Sequence, residues 1–180
     1  MKLNKLIFAL AGMVCAAHSH ADNFAPYPTP GVENKAWKKF VAQSTGPVVA
    51  YFVGSETSND EHIRVAANGA FLGGTGQSNR QLKYGNNIIF GHVNAGDVVS
   101  IFLSIPEKNA GVWSQKLIVG GGQPANSNGV YVTPFSGDPA SGIPTGVYVG
   151  FEDQAYQYQG ADFDYNDSAY VFTNLIAMPD

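Results

Sequence analysis

Apolar and polar residues alternate along most of the chain after Gly46, and this period of two predicts β-strands. The alternation is clear in "SIFLSI" and "VYVTPF", and no stretch after residue 46 keeps an apolar period of 3.6 for a dozen residues, as a helix would. Short runs of Val, Ile, Phe and Tyr are bounded by Gly, Asn, Ser or Pro, which is typical of strands separated by turns. The predicted strands are "PVVAYFVG", "HIRVA", "NNIIFGHV", "DVVSIFLSI", "VWSQKLIV", "GVYVTPF", "GVYVGFE" and "SAYVFTNLI".

These strands predict an all-β fold, a single β-sandwich that is jelly-roll-like. Asn68 and Gly69 form an "NG" pair that predicts a two-residue hairpin turn, because both residues tolerate a positive φ. Upstream, "DNFAPYPTPGVE" predicts an extended lead-in because it contains three prolines, and "NKAWKKFVAQS" can hold one short helix. The predicted organisation is therefore a helical or extended lead-in over residues 22–46 and a sandwich domain over residues 47–180.

Residues 1–21 have the features of a secretory signal peptide. Lys2 and Lys5 give a basic start, "LIFALAGMVCAA" is a short apolar run, and "SHA" supplies the small residues of a cleavage site. We therefore expect an exported protein, secreted or periplasmic. Cys15 lies within this segment, so the mature chain has no thiol. No later apolar run approaches the roughly 18 residues of a membrane span, and we expect none in the mature chain.

Charge is distributed unevenly along the chain. Without the signal segment, eight Lys and Arg face 14 Asp and Glu, and this acidic balance argues against a nucleic-acid partner. From Leu117 to Asp180 there are seven acids and no Lys or Arg, so salt bridges within that segment are impossible. Carboxylates that cluster without cationic partners repel one another and raise one another's pKa, unless a bound cation supplies the missing charge.

The acids concentrate in "GADFDYNDSAY", residues 160–170. In an extended or looped segment, Asp162, Asp164 and Asn166 share one side, where they form a site made only of oxygen atoms. Calcium takes about six to eight such oxygens, and the absence of His and Cys argues against zinc or copper. Further ligands can come from "GFED", where Glu152 and Asp153 face opposite ways in a strand. Only one of them reaches a single ion unless the chain turns there.

The segment "GVYVGFEDQAYQYQGADFDYNDSAYVF", residues 146–172, resembles the DUF4114 domain of secreted and surface bacterial proteins. The shared signature is G-F-E-D, a short insert and D-x-D-Y-N-D-x-x-F, and a weaker likeness extends over about residues 47–175. The insert is Gly-rich in the family, whereas here it is "QAYQYQGA" and offers Tyr156 and Tyr158 as an aromatic pair for ligand binding. The resemblance implies a β-sandwich that binds calcium through Glu152, Asp153, Asp162, Asp164, Asn166 and Asp167.

The function that these features favour is an exported, non-catalytic calcium-binding module for adhesion, the extracellular or biofilm matrix, or carbohydrate binding. Its expected partner is a glycan or a matrix polymer. The polar loop "GSETSNDE", residues 54–61, contains Glu56 and Asp60 and is the candidate for a neighbouring rim of the binding site or a second ion site.

Other interpretations of the same residues stay open. A small glycoside hydrolase would pair Glu152 or Asp153 with Glu56 or Glu61, since such enzymes use two carboxyl groups about 5 to 9 Å apart. A structural subunit could polymerise by donating the proline-containing segment from Phe24 to Val32 as a strand. The acidic cluster could also be a solvated turn whose side chains cap their own backbone.

Overall fold

The fold is known from a computed structural model, which describes residues 32–33, 39–73, 77–106, 113–120, 130–153 and 165–178. These residues form twelve strands and one short 3-10 turn, Asn79–Gln81. The strands are β1 (Val32–Glu33), β2 (Lys39–Ala42), β3 (Gly46–Gly54), β4 (His62–Ala67), β5 (Ala70–Phe71), β6 (Asn87–Val93), β7 (Val98–Pro106), β8 (Trp113–Gly120), β9 (Val130–Phe135), β10 (Gly146–Phe151), β11 (Ser168–Thr173) and β12 (Leu175–Met178).

The strands make two antiparallel sheets. Sheet A has the order β1-β9-β10-β11-β3-β6. Sheet B has the order β12-β2-β7-β4-β5, and β8 also pairs with β7. Every pairing between these strands is antiparallel. The prediction of an all-β sandwich is confirmed.

The main core lies between the two sheets and follows from the alternation in the sequence. Alternate residues of β10, namely Val147, Val149 and Phe151, are buried in one apolar cluster with Ile101 and Leu103 of β7. Burial of such side chains contributes about 25 cal/mol for each Å² of apolar surface removed from water. The apolar period of two therefore specifies which face of each strand points inward.

The turns explain how the strands connect. Asn68 and Gly69 have φ values of 48° and 82° and join β4 to β5, which confirms the predicted hairpin turn. The run "SAYVFTNLI" is not one strand, because Asn174 adopts a φ of 62° and passes the chain from β11 in sheet A to β12 in sheet B. The Asn174 amide fixes this crossing, since Oδ1 accepts hydrogen bonds from the N–H and the hydroxyl of Ser44 at 2.9 and 2.8 Å.

Part of the predicted lead-in belongs to the sandwich. Strand β2 pairs with β12 and β7, and its alternate residues Phe40 and Ala42 are buried in the core while Lys39 is exposed. The prediction that "NKAWKKFVAQS" holds a short helix is thus wrong at Lys39–Ala42. These residues form a strand because they pair with β12 and β7 and bury Phe40 and Ala42 in the core. Residues 1–31 and 34–38, which include the predicted signal peptide, lie outside the described residues.

A second apolar cluster covers the face of sheet A that points away from sheet B. It contains the rings of Tyr131, Tyr148 and Tyr165 with Ile143 and Val171. Tyr165 reaches this face with a φ of 57°, and its ring lies 5.7 Å from that of Tyr131. A Cβ atom at Gly150 would lie only 2.5 Å from the Tyr165 carbonyl oxygen. The missing side chain of Gly150 therefore lets the segment before β11 pack directly on β10.

Helices of membrane-spanning length and apolarity are absent from the described part of the chain.

Replacement of Phe40 tests whether β2 is integral to the fold. Phe40→Ala should lower the free energy of unfolding by about 3–5 kcal/mol, because it empties a fully buried site in the core. Lys39→Ala, next to it on the exposed side, should stay within about 0.5 kcal/mol of the parent chain. Urea denaturation of the three chains measures both values, and equal stability of all three would show that β2 is dispensable.

Gly150→Ala tests the close packing of Tyr165 on β10. The added methyl group has to displace the backbone at Tyr165, so we expect a loss of about 1–3 kcal/mol in the free energy of unfolding. Gly73→Ala is the matched control, because a Cβ atom at Gly73 meets nothing within 4 Å. The same urea experiment compares them, and equal effects of the two substitutions would contradict this packing.

Candidate functional site

Three segments of the chain meet at one end of the sandwich. Phe151, the last residue of β10, pairs with Ser168, the first residue of β11, so residues 152–153 and 165–167 lie side by side beyond the sheet. Gly54, the last residue of β3, pairs with Ala169 of β11 at the same end. The loop from Ser55 to Glu61 then leads from β3 in sheet A to β4 in sheet B. Pairing of three neighbouring strands thus places all three polar segments together.

Asp153 is the centre of the hydrogen bonds at this end. The Thr57 hydroxyl and the Asn59 side-chain amide donate to its Oδ2 atom at 2.6 and 2.5 Å. The Asp153 N–H donates to Oδ2 of Asp167 at 2.6 Å. The Ser55 hydroxyl donates to the Asp167 carbonyl oxygen at 2.6 Å. The loop Ser55–Glu61 therefore supplies two donors to the buried Asp153 carboxylate and one to the Asp167 backbone.

Glu61 ends this loop and is completely buried. The Ser168 hydroxyl donates to its Oε2 atom at 2.6 Å, whereas Oε1 has no hydrogen-bond partner among the residues that the structure describes. The pKa of Glu61 is raised to about 9, mainly by burial. The Ser168 hydrogen bond opposes the rise, whereas contact with the Asp153 carboxyl group and the negative charges of Asp153 and Asp167 contribute to it. The three carboxyl groups therefore disfavour one another's charge.

Asn79, in the 3-10 turn, holds the loop in this shape. Its side-chain amide donates to the Ser55 hydroxyl at 2.8 Å and to the Asn59 carbonyl oxygen at 3.2 Å. Its Oδ1 atom accepts the Glu61 N–H at 3.0 Å, and its own N–H donates to the Glu61 carbonyl oxygen at 2.8 Å. Nothing in the sequence pattern marked Asn79, because these contacts join residues that are about 20 positions apart.

The predicted metal ligands that the structure describes all lie at this end. The strand ends at Phe151 and the chain turns at Asp153, so Glu152 and Asp153 are both buried, with exposed fractions of 2% and 6%. Asn166 is buried as well, and its carbonyl oxygen accepts the Glu56 N–H at 3.1 Å. Asp162 and Asp164 fall outside the described residues.

The predicted ligand-binding residues are placed differently. The Glu56 side chain is exposed to solvent. Asp60 is half exposed, accepts a hydrogen bond from the Ser78 hydroxyl, and lies 3.4 Å from Nε2 of His62. Asp60 thus interacts with Ser78 and His62, and its role at the rim of a binding site stays a prediction. Tyr156 and Tyr158 fall outside the described residues.

The donor set at this end fits a hard cation. It consists of carboxylate, amide and hydroxyl oxygens, which are the ligands that calcium takes, and the buried Oε1 atom of Glu61 lacks a partner in the described residues. No three His, Cys, Asp or Glu side chains within the described ranges stand ready-made as a cage for a metal ion. A cation here would therefore need ligands from residues 162–164 or some movement of the described carboxylates.

Comparisons with family models, with curated proteins and with solved structures gave no match to this chain. The resemblance to the DUF4114 domain thus stays a prediction that depends on the residues of the motif.

Proposed function

We propose that this protein is an exported, non-catalytic β-sandwich module that binds calcium at the acidic end of the sandwich, where Glu61, Asp153 and Asp167 lie together. The proposed ligands are Glu152, Asp153, Asp162, Asp164, Asn166 and Asp167. The observation that carries the proposal is the direct hydrogen bond between Asp153 and Asp167, which brings the two halves of the acidic motif together. Residues that are 14 positions apart in the chain thus meet in one place.

The protein's own residues would orient the carboxylates for such an ion. Thr57 and Asn59 both donate to Oδ2 of Asp153, which fixes the direction of this carboxylate. Tyr165, packed on sheet A, fixes the start of the segment that carries Asn166 and Asp167. Bound calcium would supply the positive charge that the segment from Leu117 to Asp180 lacks, since that segment has no Lys or Arg.

Positions and contacts of the carboxyl groups argue against the alternative of a glycoside hydrolase. Glu61 and Asp153 contact each other and are buried, with exposed fractions of 0% and 6%. A pair of catalytic carboxyl groups would need to be about 5 to 9 Å apart beside an open sugar-binding cleft. Glu56 does not supply a second catalytic carboxyl group beside Asp153, because its side chain is exposed and only its backbone N–H contacts the site.

The partner that we propose for the module is a glycan or a matrix polymer. Tyr156 and Tyr158 lie in the sequence between the two groups of proposed calcium ligands, so a bound ion would fix the chain on both sides of them. Aromatic side chains give a large apolar contact surface with a polar tip, which suits a sugar ring. The role in adhesion or in a biofilm matrix follows from this partner.

Thermal unfolding in EDTA, in calcium and in magnesium tests the proposed function. At a calcium concentration of 100 times Kd, binding should stabilise the fold by about 2.7 kcal/mol, which corresponds to a rise in Tm of roughly 5–10 °C. Magnesium should give a smaller rise. The double variant Asp164→Asn, Asp167→Asn should lose the response to calcium, because it removes two of the proposed charged ligands.

The matched control is Asp97→Asn, which makes the same chemical change at the opposite end of the sandwich. Asp97 accepts the Asn94 N–H at 2.7 Å and the Asn68 side-chain amide at 2.9 Å in the turn between β6 and β7. Asn keeps only one of these two acceptor oxygens, so the Tm of the variant in calcium is compared with its own Tm in EDTA. This variant should keep the full rise in Tm with calcium. A parent chain whose Tm does not change between EDTA and calcium would contradict the proposed function and favour a solvated turn.

A further inference from the structure

We propose that Glu61 is an additional ligand of the calcium site and that the ion therefore links the two sheets of the sandwich. This inference rests on the proposed function, since it concerns the same ion. It adds a residue from outside the acidic motif and a structural role for the ion.

Glu61 lies across the sandwich from the strands that carry Asp153 and Asp167. Glu61 directly precedes β4 and therefore belongs to the sheet B side of the sandwich. Asp153 follows β10, and Asp167 precedes β11, so both belong to sheet A. A cation that is shared by the three carboxylates would link β4 in sheet B to the paired strands β10 and β11 in sheet A, with which β4 forms no strand pairing.

The Glu61 side chain is oriented toward the Asp153 carboxyl group. Its backbone is held from both sides by Asn79, and its Oε2 atom accepts the Ser168 hydroxyl. Its carboxyl group contacts that of Asp153. Oε1 accepts no hydrogen bond from a described donor although the side chain is completely buried. Two carboxyl groups that contact each other away from water need a shared proton or a cation between them, and a calcium ion would supply that cation.

Tyr170 provides an independent observation at the same place. Its ring belongs to the main core, and its completely buried hydroxyl group interacts with the side chains of Ser168 and Glu61. Ser168 in turn donates to Oε2 of Glu61. The hydroxyl groups of Tyr170 and Ser168 thus hold the Glu61 carboxyl group on the inner side of the site, where the site meets the main core.

The role of the loop Ser55–Glu61 changes with this assignment. The sequence predicts that the loop forms a rim of the binding site or a second ion site. The hydrogen bonds from Ser55, Thr57 and Asn59 instead join it to Asp153 and Asp167. With Glu61 as a ligand, the loop belongs to a single ion site and contributes one carboxylate to it.

The test compares Glu61→Gln with Glu56→Gln, two identical changes in the same loop. Gln has the shape of Glu, can accept the Ser168 hydroxyl and can donate to Asp153, so the Tm in EDTA should stay within a few degrees of the parent chain. Calcium affinity, measured by titration calorimetry, should fall by at least about tenfold, since even the loss of a group that only supports a metal ligand costs 10- to 100-fold. Glu56→Gln should keep the parent Kd, because the Glu56 side chain is exposed.

The outcomes separate this inference from the proposed function. A parent chain that does not bind calcium overturns both. A parent chain that binds calcium with a Kd shared by Glu61→Gln overturns only the role of Glu61. If Glu61→Gln does not fold, Glu61→Asp replaces it, because Asp keeps the charge but is one methylene group too short to reach the same position. An unchanged Kd in a folded Glu61→Asp would then overturn the inference.

Discussion

The arrangement at the acidic end of the sandwich depends on the need to satisfy buried carboxyl groups. Glu61, Glu152 and Asp153 are almost completely removed from water, and a charged carboxylate in such a place is costly unless it has donors or a cation. Hydroxyl and amide groups of the loop Ser55–Glu61 meet part of this need at Asp153. The mutual repulsion that remains among these acids is the physical reason to expect a bound cation.

The rest of the fold positions this group accurately. Pairing between β10 and β11 sets Asp153 beside Asp167, and the cluster of tyrosine rings on the outer face of sheet A holds Tyr165 in its left-handed conformation. Gly150 contributes by having no side chain where the Tyr165 backbone crosses β10. The glycine and the tyrosine of the motif thus have packing roles, whereas the acidic residues between and after them are the ligands that we propose for calcium.

Much of the fold could be predicted from local patterns, while the contacts of the site could not. Alternating apolar residues located the long strands, and "NG" located a turn, because both signals involve neighbouring residues. Strand β2 was missed because it is only four residues long and begins at the second of two adjacent lysines. The break at Asn174 was missed because an Asn side chain, not the apolar pattern, makes it. The contact of Thr57 with Asp153 spans 96 positions, and no local pattern encodes such a distance.

A calcium ion held between the two sheets would be visible in a crystal structure of the protein grown in calcium, because the ligands of the ion can be read from the electron-density map. We expect an ion about 2.3–2.6 Å from carboxylate oxygens of Glu61, Asp153 and Asp167. An ion bound elsewhere on the chain, or a site that holds only water at saturating calcium, would show that calcium does not link the sheets.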